Sequence, residues 1–190
     1  MKRAIAMILM AALLAFSLCG CGASGFDGLY SYLEKNGSSG EDGKRVEITV
    51  ENDVRFNVYF EAVNTGKIIL GYYQNSKTTN VDATLKLKIY LDGKSRPYFE
   101  VSSETTLTVN GVSATMEESS TGHVNSASGQ QTLNIESYSS KFMNESSDNE
   151  LSEATKKSFD LALQRIWNNL PQLIEETGVN VSMEDLGLAG

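Results

Sequence analysis

Cysteine, histidine, proline and tryptophan are rare in this sequence of 190 residues, which has two, one, two and one of them, respectively. The two cysteines are Cys19 and Cys21, so the chain beyond them has no thiol for a disulfide. A domain formed by that part of the chain must be stabilised by its core alone. Zinc and haem sites generally need several imidazole or thiolate ligands. We therefore expect neither a metal site nor a cofactor.

The motifs that usually carry catalysis are also missing from the sequence. No Gly-x-Ser-x-Gly elbow presents a serine nucleophile, and the glycine-rich stretch Gly37–Gly43 lacks the Lys-Ser/Thr ending of a phosphate-binding loop. His123 lies in the polar stretch 119–129 and is predicted to be exposed in a loop. Adjacent carboxylates such as Glu117 and Glu118 do not face each other on a regular element, so they indicate a solvated surface. We predict that the protein is not an enzyme and has no catalytic residue.

Basic residues are outnumbered, because the chain has 16 lysines and arginines against 24 aspartates and glutamates, a formal net charge of −8. Nucleic-acid binding and electrostatic adhesion to a membrane both need clusters of Lys or Arg. An acidic chain favours neither, and its charge mainly promotes solubility. We therefore expect no nucleic-acid partner.

Long apolar runs are confined to the N-terminus. The basic pair Lys2 and Arg3 precedes a nearly continuous apolar run from Ala4 to Leu18. A membrane-spanning helix needs roughly 20 apolar residues, which is more than this run supplies. A basic start followed by a short apolar run is typical of an export signal. Residues 1–20 are therefore predicted to be a signal peptide.

The apolar run ends in Leu18-Cys19-Gly20-Cys21, an aliphatic residue and two small residues before a cysteine. This tetrad resembles the lipobox of bacterial lipoproteins. The resemblance implies that diacylglycerol is attached to the sulfur of Cys21, that the chain is cleaved after Gly20, and that the new amino group is acylated. Two or more acyl chains anchor a protein stably to a bilayer. The expected location is the extracytoplasmic side of the cell membrane or the outer membrane.

Cleavage there divides the chain into a lipidated tether at residues 21–25 and one domain at residues 26–190. Lys2 and Arg3 leave with the signal peptide, so the mature chain has 14 basic and 24 acidic residues, a net charge of −10. Residues 22–25 span at most about 14 Å when fully extended, so the domain is expected to lie close to the membrane.

Helical spacing of apolar residues occurs at both ends of this domain. Phe26 to Lys35 forms the first, short pattern. A long helix is predicted near the C-terminus, with Asn149 or Ser152 as its N-cap. Pro171 is expected to kink or divide that helix near Trp167. The apolar stripe of the long helix consists of Phe159, Leu163, Ile166, Leu170 and Ile174.

Alternating apolar and polar residues, the pattern of strands with one buried face, fill the middle of the domain. The predicted strands are 46–50, 54–60, 68–73, 81–91, 98–101, 105–109 and 132–138. Short turn signals separate successive strands, which predicts an antiparallel meander. Residues 116–129 are polar and are left unassigned, and residues 139–150 are predicted to form a loop.

The predicted fold class is α+β: a curved antiparallel meander of about six to eight strands, with the short N-terminal helix and the long C-terminal helix packed on one face. The order of helix, meander and long C-terminal helix is similar to that of helix-grip and half-barrel ligand carriers. Some of those carriers are bacterial lipoproteins that shuttle hydrophobic molecules. The similarity covers the order of elements and no motif residues.

Trp167, Tyr72 and Tyr90 are the candidate ligand-binding residues. Tyr59, Tyr72 or Tyr73, and Tyr90 are predicted on the polar face of neighbouring strands, where their rings could form a binding platform. Cross-strand pairing of tyrosines on an exposed sheet explains the same pattern without a ligand. Trp167 lies beside the apolar stripe of the C-terminal helix, where a cavity between helix and sheet would have it as a wall.

These observations predict a membrane-anchored bacterial lipoprotein that is a non-enzymatic binding or interaction module of the cell envelope. Its expected partners are the membrane, through the lipid on Cys21, and an envelope protein. The alternative is a carrier or binder of a hydrophobic ligand between the sheet and the C-terminal helix.

Overall fold

The computed structural model describes residues 24–127, 130–143, 145–147 and 151–189. The predicted signal peptide and the predicted lipidation site Cys21 lie outside the described residues. None of the helices in the described part of the chain is long and apolar enough to cross a membrane.

Two helices and nine strands are assigned among the described residues. Their bounds, in chain order, are α1 (Gly25–Asn36), β1 (Ser38–Ser39), β2 (Gly43–Glu51), β3 (Arg55–Val63), β4 (Lys67–Lys77), β5 (Val81–Leu91), β6 (Tyr98–Val109), β7 (Val112–Ala127), β8 (Gln130–Phe142), β9 (Glu145–Ser147) and α2 (Glu153–Thr177).

The strands form one sheet in which each strand pairs with the next along the chain, and all the pairs are antiparallel. Seven of the strands are long, and the short β1 and β9 lie at the two edges. Both helices pack on one face of the sheet, where their apolar side chains join those of the strands in a single core. The predicted α+β meander is confirmed. We call the helix-covered face the inner face and the opposite one the outer face.

The strands extend further than the sequence pattern predicts. The two segments predicted at 98–101 and 105–109 are one strand, β6, because the intervening Ser103 pairs with Leu85 of β5 and Glu118 of β7. A strand between two partners has its backbone hydrogen bonds on both sides whatever its side chains. This is why a polar interruption does not end β6.

The polar region of residues 116–129, which the sequence left unassigned, contributes most of β7. Its side chains form hydroxyl ladders with the neighbouring strands, including Ser119 to Ser139 at 2.8 Å and Thr121 to Ser137 at 2.6 Å. Cross-strand Ser and Thr pairs of this kind stabilise a sheet without an apolar face. The predicted loop at 139–150 is also partly wrong, because β8 continues to Phe142 and β9 lies within it.

His123 lies within β7 and not in a loop, which corrects the prediction from sequence. Its Nδ1 is 2.8 Å from Oε1 of Glu136 on β8, and its side chain is one third exposed. The polar surroundings that suggested a loop belong to an outer sheet face covered by polar side chains.

Helix α1 begins at Gly25, one residue inside the segment predicted as tether, and ends close to the predicted boundary. Ser152 is the N-cap of α2, and its Oγ accepts a hydrogen bond from the backbone N–H of Thr155 at 3.1 Å. Pro171 lies inside α2 and does not divide it. Leu170 and Leu173, on either side of the proline, are buried and hold the helix against the sheet.

The sheet curls around α2. Arg165 of α2 donates a hydrogen bond from Nη1 to the Tyr72 hydroxyl of β4 at 2.7 Å, whereas Trp167, two residues later, shares a groove with Leu133 of β8. One turn of the helix therefore reaches strands that are four positions apart in the sheet. This curvature places the side chains of β8 beside α2.

The two ends of the sheet differ in what surrounds them. At one end, Gly25 N donates to Asn180 O at 2.9 Å, and the β5–β6 turn at Gly93 lies against Phe26. We call this the tether end, because α1, which directly follows the segment predicted as tether, begins there. The β6–β7 hairpin at Asn110-Gly111 marks the opposite, distal end, and the twelve residues of β6 put about 40 Å between the two.

Candidate binding site

The structure separates the three residues proposed from sequence instead of bringing them together. Tyr72 lies in the core on the inner face, Tyr90 lies on the outer face, and Trp167 lies on the flank of α2 that faces β8. Three surfaces therefore have to be compared as binding sites.

The sequence left open whether Tyr72 or Tyr73 lies on the outer face. In the structure it is Tyr73. The predicted platform is nevertheless incomplete, because Tyr59 is buried beneath Arg45, whose guanidinium lies 3.8 Å from the ring centroid. Gly71, opposite Tyr59 on β4, leaves room for that ring, since a Cβ there would lie 2.1 Å from the Tyr59 Cζ. Burial raises the pKa of the Tyr59 hydroxyl.

Tyr90 belongs to a row of rings that crosses three strands. Its ring centroid is 6.1 Å from that of Tyr98 on β6, and Tyr98 meets His123 of β7 edge-on at 5.7 Å. The Tyr90 hydroxyl donates to Glu100 at 2.8 Å, and burial together with that carboxylate raises its pKa. These contacts are the cross-strand pairing that explains exposed tyrosines without a ligand.

On the inner face, Tyr72 belongs to a polar cluster at the edge of the core. Its hydroxyl lies at 2.5 Å from Oε1 of Gln74, and Arg165 donates from Nη1 to both groups, at 2.7 Å to the hydroxyl and 2.8 Å to the amide oxygen. Burial raises the pKa of Tyr72 in spite of the nearby guanidinium. The guanidinium also lies over the Phe56 ring at 5.1 Å. Within the described chain, Arg165 has no carboxylate partner.

A second polar cluster surrounds Glu118 at the start of α2. Its Oε1 accepts from the hydroxyls of Tyr138 at 2.7 Å and Thr155 at 2.9 Å, and its Oε2 accepts from Ser103 at 3.1 Å. A cavity of about 360 Å³ between the sheet and α2 has Glu118 and Arg165 among its lining residues. Its apolar wall includes Leu85.

Beyond Glu118 the inner face is not covered, because α2 starts at the level of that residue and the strands continue towards the distal end. The apolar side chains there are contiguous in the sheet register, where Val109 pairs with Val112 and Met116 pairs with Phe142. Val112 is 70% exposed and Phe142 is 53% exposed. We call this the distal apolar surface, and it consists of Leu107, Val109, Val112, Met116 and Phe142.

This surface holds most of the exposed large apolar side chains of the described chain. The two others are Met143, which directly follows Phe142, and Leu161, on the first half of α2. Isolated exposed apolar residues are common, but a cluster usually marks an interaction site. The apolar residues on both sides of the Asn110-Gly111 turn were visible in the sequence. Whether a helix covers them could not be predicted from it.

The third surface is a groove between β8 and α2, with a volume of about 670 Å³. Its apolar lining consists of Leu133, Leu161, Leu163 and Trp167, and Lys156 and Lys157 lie along the helix side. The indole Nε1 of Trp167 is buried and has no hydrogen-bond partner in the described chain. Trp167 therefore lines a groove on the flank of α2. At this level of the helix, core side chains such as Ile166 pack between α2 and the sheet.

Comparison with protein-family models, with curated proteins and with solved structures found no match to this chain. Among the described residues, no three His, Cys, Asp or Glu side chains come together in a way that could hold a metal ion.

Proposed function

We propose that this protein is a lipid-anchored, non-enzymatic binding module of the bacterial cell envelope that docks a partner protein on its distal apolar surface. The observation that carries the proposal is the concentration of exposed apolar side chains on the part of the inner face that α2 leaves uncovered. Burial of apolar area is the main driving force of protein association, at about 25 cal/mol per Å².

The position of the surface supports a partner that is not the anchoring membrane. The predicted lipid on Cys21 follows from Leu18-Cys19-Gly20-Cys21 and holds the tether end at the bilayer. The distal apolar surface is then about 40 Å further out, which is the length of β6. The domain is oriented so that this surface faces other envelope components.

Charge favours a different protein over a second copy of this chain. The mature chain has 14 basic and 24 acidic residues, so two copies repel each other. A partner with Lys and Arg around an apolar patch is attracted electrostatically and then held by apolar burial.

The test is photo-crosslinking in intact cells, with the photoreactive amino acid p-benzoylphenylalanine in place of Val112. We expect a crosslink to one envelope protein, and mass spectrometry of the linked peptide should show an apolar segment flanked by Lys or Arg. The matched control carries the same amino acid in place of Thr49, an exposed residue of β2, and should give no crosslink. Val109→Asp with Val112→Asp should prevent capture by a photoreactive residue at the neighbouring Leu107.

Three results would contradict the proposal: a crosslink only to lipid, a crosslink only to a second copy, or equal capture from Thr49 and Val112. Cys21→Ala separates the anchor from the surface. We expect this variant to leave the membrane fraction, and a variant that stays membrane-bound would refute the lipid anchor without refuting the docking surface.

The cavity of about 360 Å³ between the sheet and α2 supports a second candidate function, the carrier of a hydrophobic ligand. Native mass spectrometry of the protein extracted from its own envelope without denaturant is the test. A reproducible additional mass that is lost on delipidation and reduced by Leu85→Trp, which narrows the cavity, would favour the carrier. An unliganded mass would favour the docking module.

A further inference from the structure

Strand β8 is an open edge of the sheet over most of its length. It pairs with β7 along one side from Gln130 to Phe142, but on its other side β9 covers only Ser140–Phe142. Among the described residues, the segment 130–139 has no strand partner on that side. An edge strand of this length presents unpaired N–H and C=O groups to any extended chain that approaches it.

The groove between β8 and α2 lies directly beside this open edge. Its sheet side is formed by residues 130–133, and its helix side runs from Lys156 to Trp167. That stretch of helix is about 17 Å long, which corresponds to about five residues of an extended chain. A strand next to a parallel groove offers main-chain hydrogen bonds from the edge and a place for alternate side chains.

Trp167 is the one aromatic residue among those that line the groove. Its ring offers a flat apolar surface to a side chain of an occupant. Leu133, which is only partly buried, leaves room for an apolar side chain beside the indole ring.

The charges on the groove point to an acidic occupant. Lys156 and Lys157 both line it, with Asp160 as the one acidic lining residue. Neither lysine has a carboxylate within ion-pair distance in the described chain. A net positive groove on a chain of net charge −8 is a local reversal of sign.

We propose that this groove binds an extended segment of a partner protein, which adds to β8 as a further strand, carries Asp or Glu towards Lys156 and Lys157, and places an apolar side chain against Trp167. The segment exchanges backbone hydrogen bonds with the open edge of β8. This site goes beyond the docking surface proposed above, because it lies between β8 and the flank of α2 and uses main-chain contacts.

The test is a selection of short random peptides displayed on phage against the full chain reconstituted in lipid nanodiscs. We expect the enriched peptides to alternate apolar with other residues and to carry acidic residues. Hydrogen exchange of the full chain should slow, within residues 130–139, at backbone amides that point away from β7 when such a peptide is bound, because a new strand protects them.

Matched variants separate the contributions to binding. Lys156→Glu with Lys157→Glu should weaken the selected peptide at least about tenfold, whereas Lys35→Glu with Lys94→Glu, which changes the net charge equally at exposed sites elsewhere, should not. Trp167→Ala removes the ring against which the apolar side chain packs, so it should weaken binding about fivefold.

Several outcomes would overturn the proposal. These are no enrichment over empty nanodiscs, enrichment of basic peptides, or binding that leaves exchange of residues 130–139 unchanged. Val112→Lys should bind the selected peptides as the wild type does, so failure of the groove and failure of the distal apolar surface give different results.

Discussion

At the scale of single residues, the feature that costs most to bury is the carboxylate of Glu61. It is fully buried on the outer side of β3, where Oε1 accepts from the backbone N–H groups of Asp42 and Gly43 at 2.6 and 2.7 Å. Oε2 accepts from Nη2 of Arg45 at 2.7 Å. The Glu61 carboxylate thus fixes the backbone at the start of β2. Through Arg45, which covers the Tyr59 ring, it also fixes the outer face of β3.

Glu61→Gln should lower the free energy of unfolding by about 3 kcal/mol, because it leaves the guanidinium of Arg45 without its buried counter-charge. Urea denaturation followed by circular dichroism measures the change. The matched control is Glu47→Gln, since Glu47 is 3.6 Å from the same guanidinium but 43% exposed, and its loss should cost less than about 1 kcal/mol. Equal effects of the two variants would show that burial is not what makes the Glu61 pair important.

The face of the sheet on which a residue lies could be predicted from the sequence only where the alternation of the strand was clear. Tyr72 and Tyr73 are adjacent, so a shift of one residue exchanges their faces. The structure places Tyr72 inside because Phe56 on β3 and Arg165 on α2 lie next to it. These contacts come from segments far away along the chain, and no local pattern contains them.

At the scale of elements, α2 connects the core with the candidate surfaces. Its stability depends on the packed face formed by residues such as Phe159 and Ile166, and on its first turn. The hydroxyl of Ser152 caps that turn, close to Glu118 and to the level at which the inner face becomes uncovered.

Ser152→Ala should destabilise the protein by about 1 kcal/mol, because the N–H of Thr155 loses its acceptor. Thermal or urea unfolding measures this. Ser158→Ala is the control in the same helix, since the Ser158 hydroxyl only donates to the carbonyl of Ala154, and its removal should change the stability by less than about 0.5 kcal/mol. A larger loss from Ser158 than from Ser152 would contradict the assigned cap.

The two helices and most of the long strands were predictable in existence and order, whereas β7, the short edge strands and several element ends were not. The strand over Val81–Leu91 was predicted with its observed bounds, because its alternation is regular. The Ser- and Thr-rich β7 was missed because its side chains have no apolar period, and its pairing depends on β6 and β8 lying alongside it.

At the scale of the whole molecule, tyrosine burial links stability to alkaline pH. Burial raises the pKa of Tyr59, Tyr72, Tyr90 and Tyr138 above the ordinary value of 10.0. The folded state therefore retains these protons at a pH at which the unfolded chain has released them. The stabilisation is fully present below pH 10 and is lost as the pH rises towards the folded-state values.

We expect the free energy of unfolding to fall steadily as the pH rises from about 10 to about 12. Urea titrations at several pH values in this range measure the slope. Tyr59→Phe removes one of the shifted groups, so it should reduce the slope even if it lowers the stability at neutral pH. A free energy that stays constant or rises over this range would show that the tyrosines titrate alike in both states.

The sequence by itself determined the class of fold, the antiparallel order of the long strands and the presence of a helix at each end, because periodicity and turn residues act locally. It also carries the whole case for the lipid anchor on Cys21, which lies outside the described residues. Only the tertiary structure decided which surfaces remain open. The crossing of helix and sheet determines where α2 begins relative to Glu118 and how β8 curls towards Trp167. That crossing is set by the packing of side chains distant in sequence.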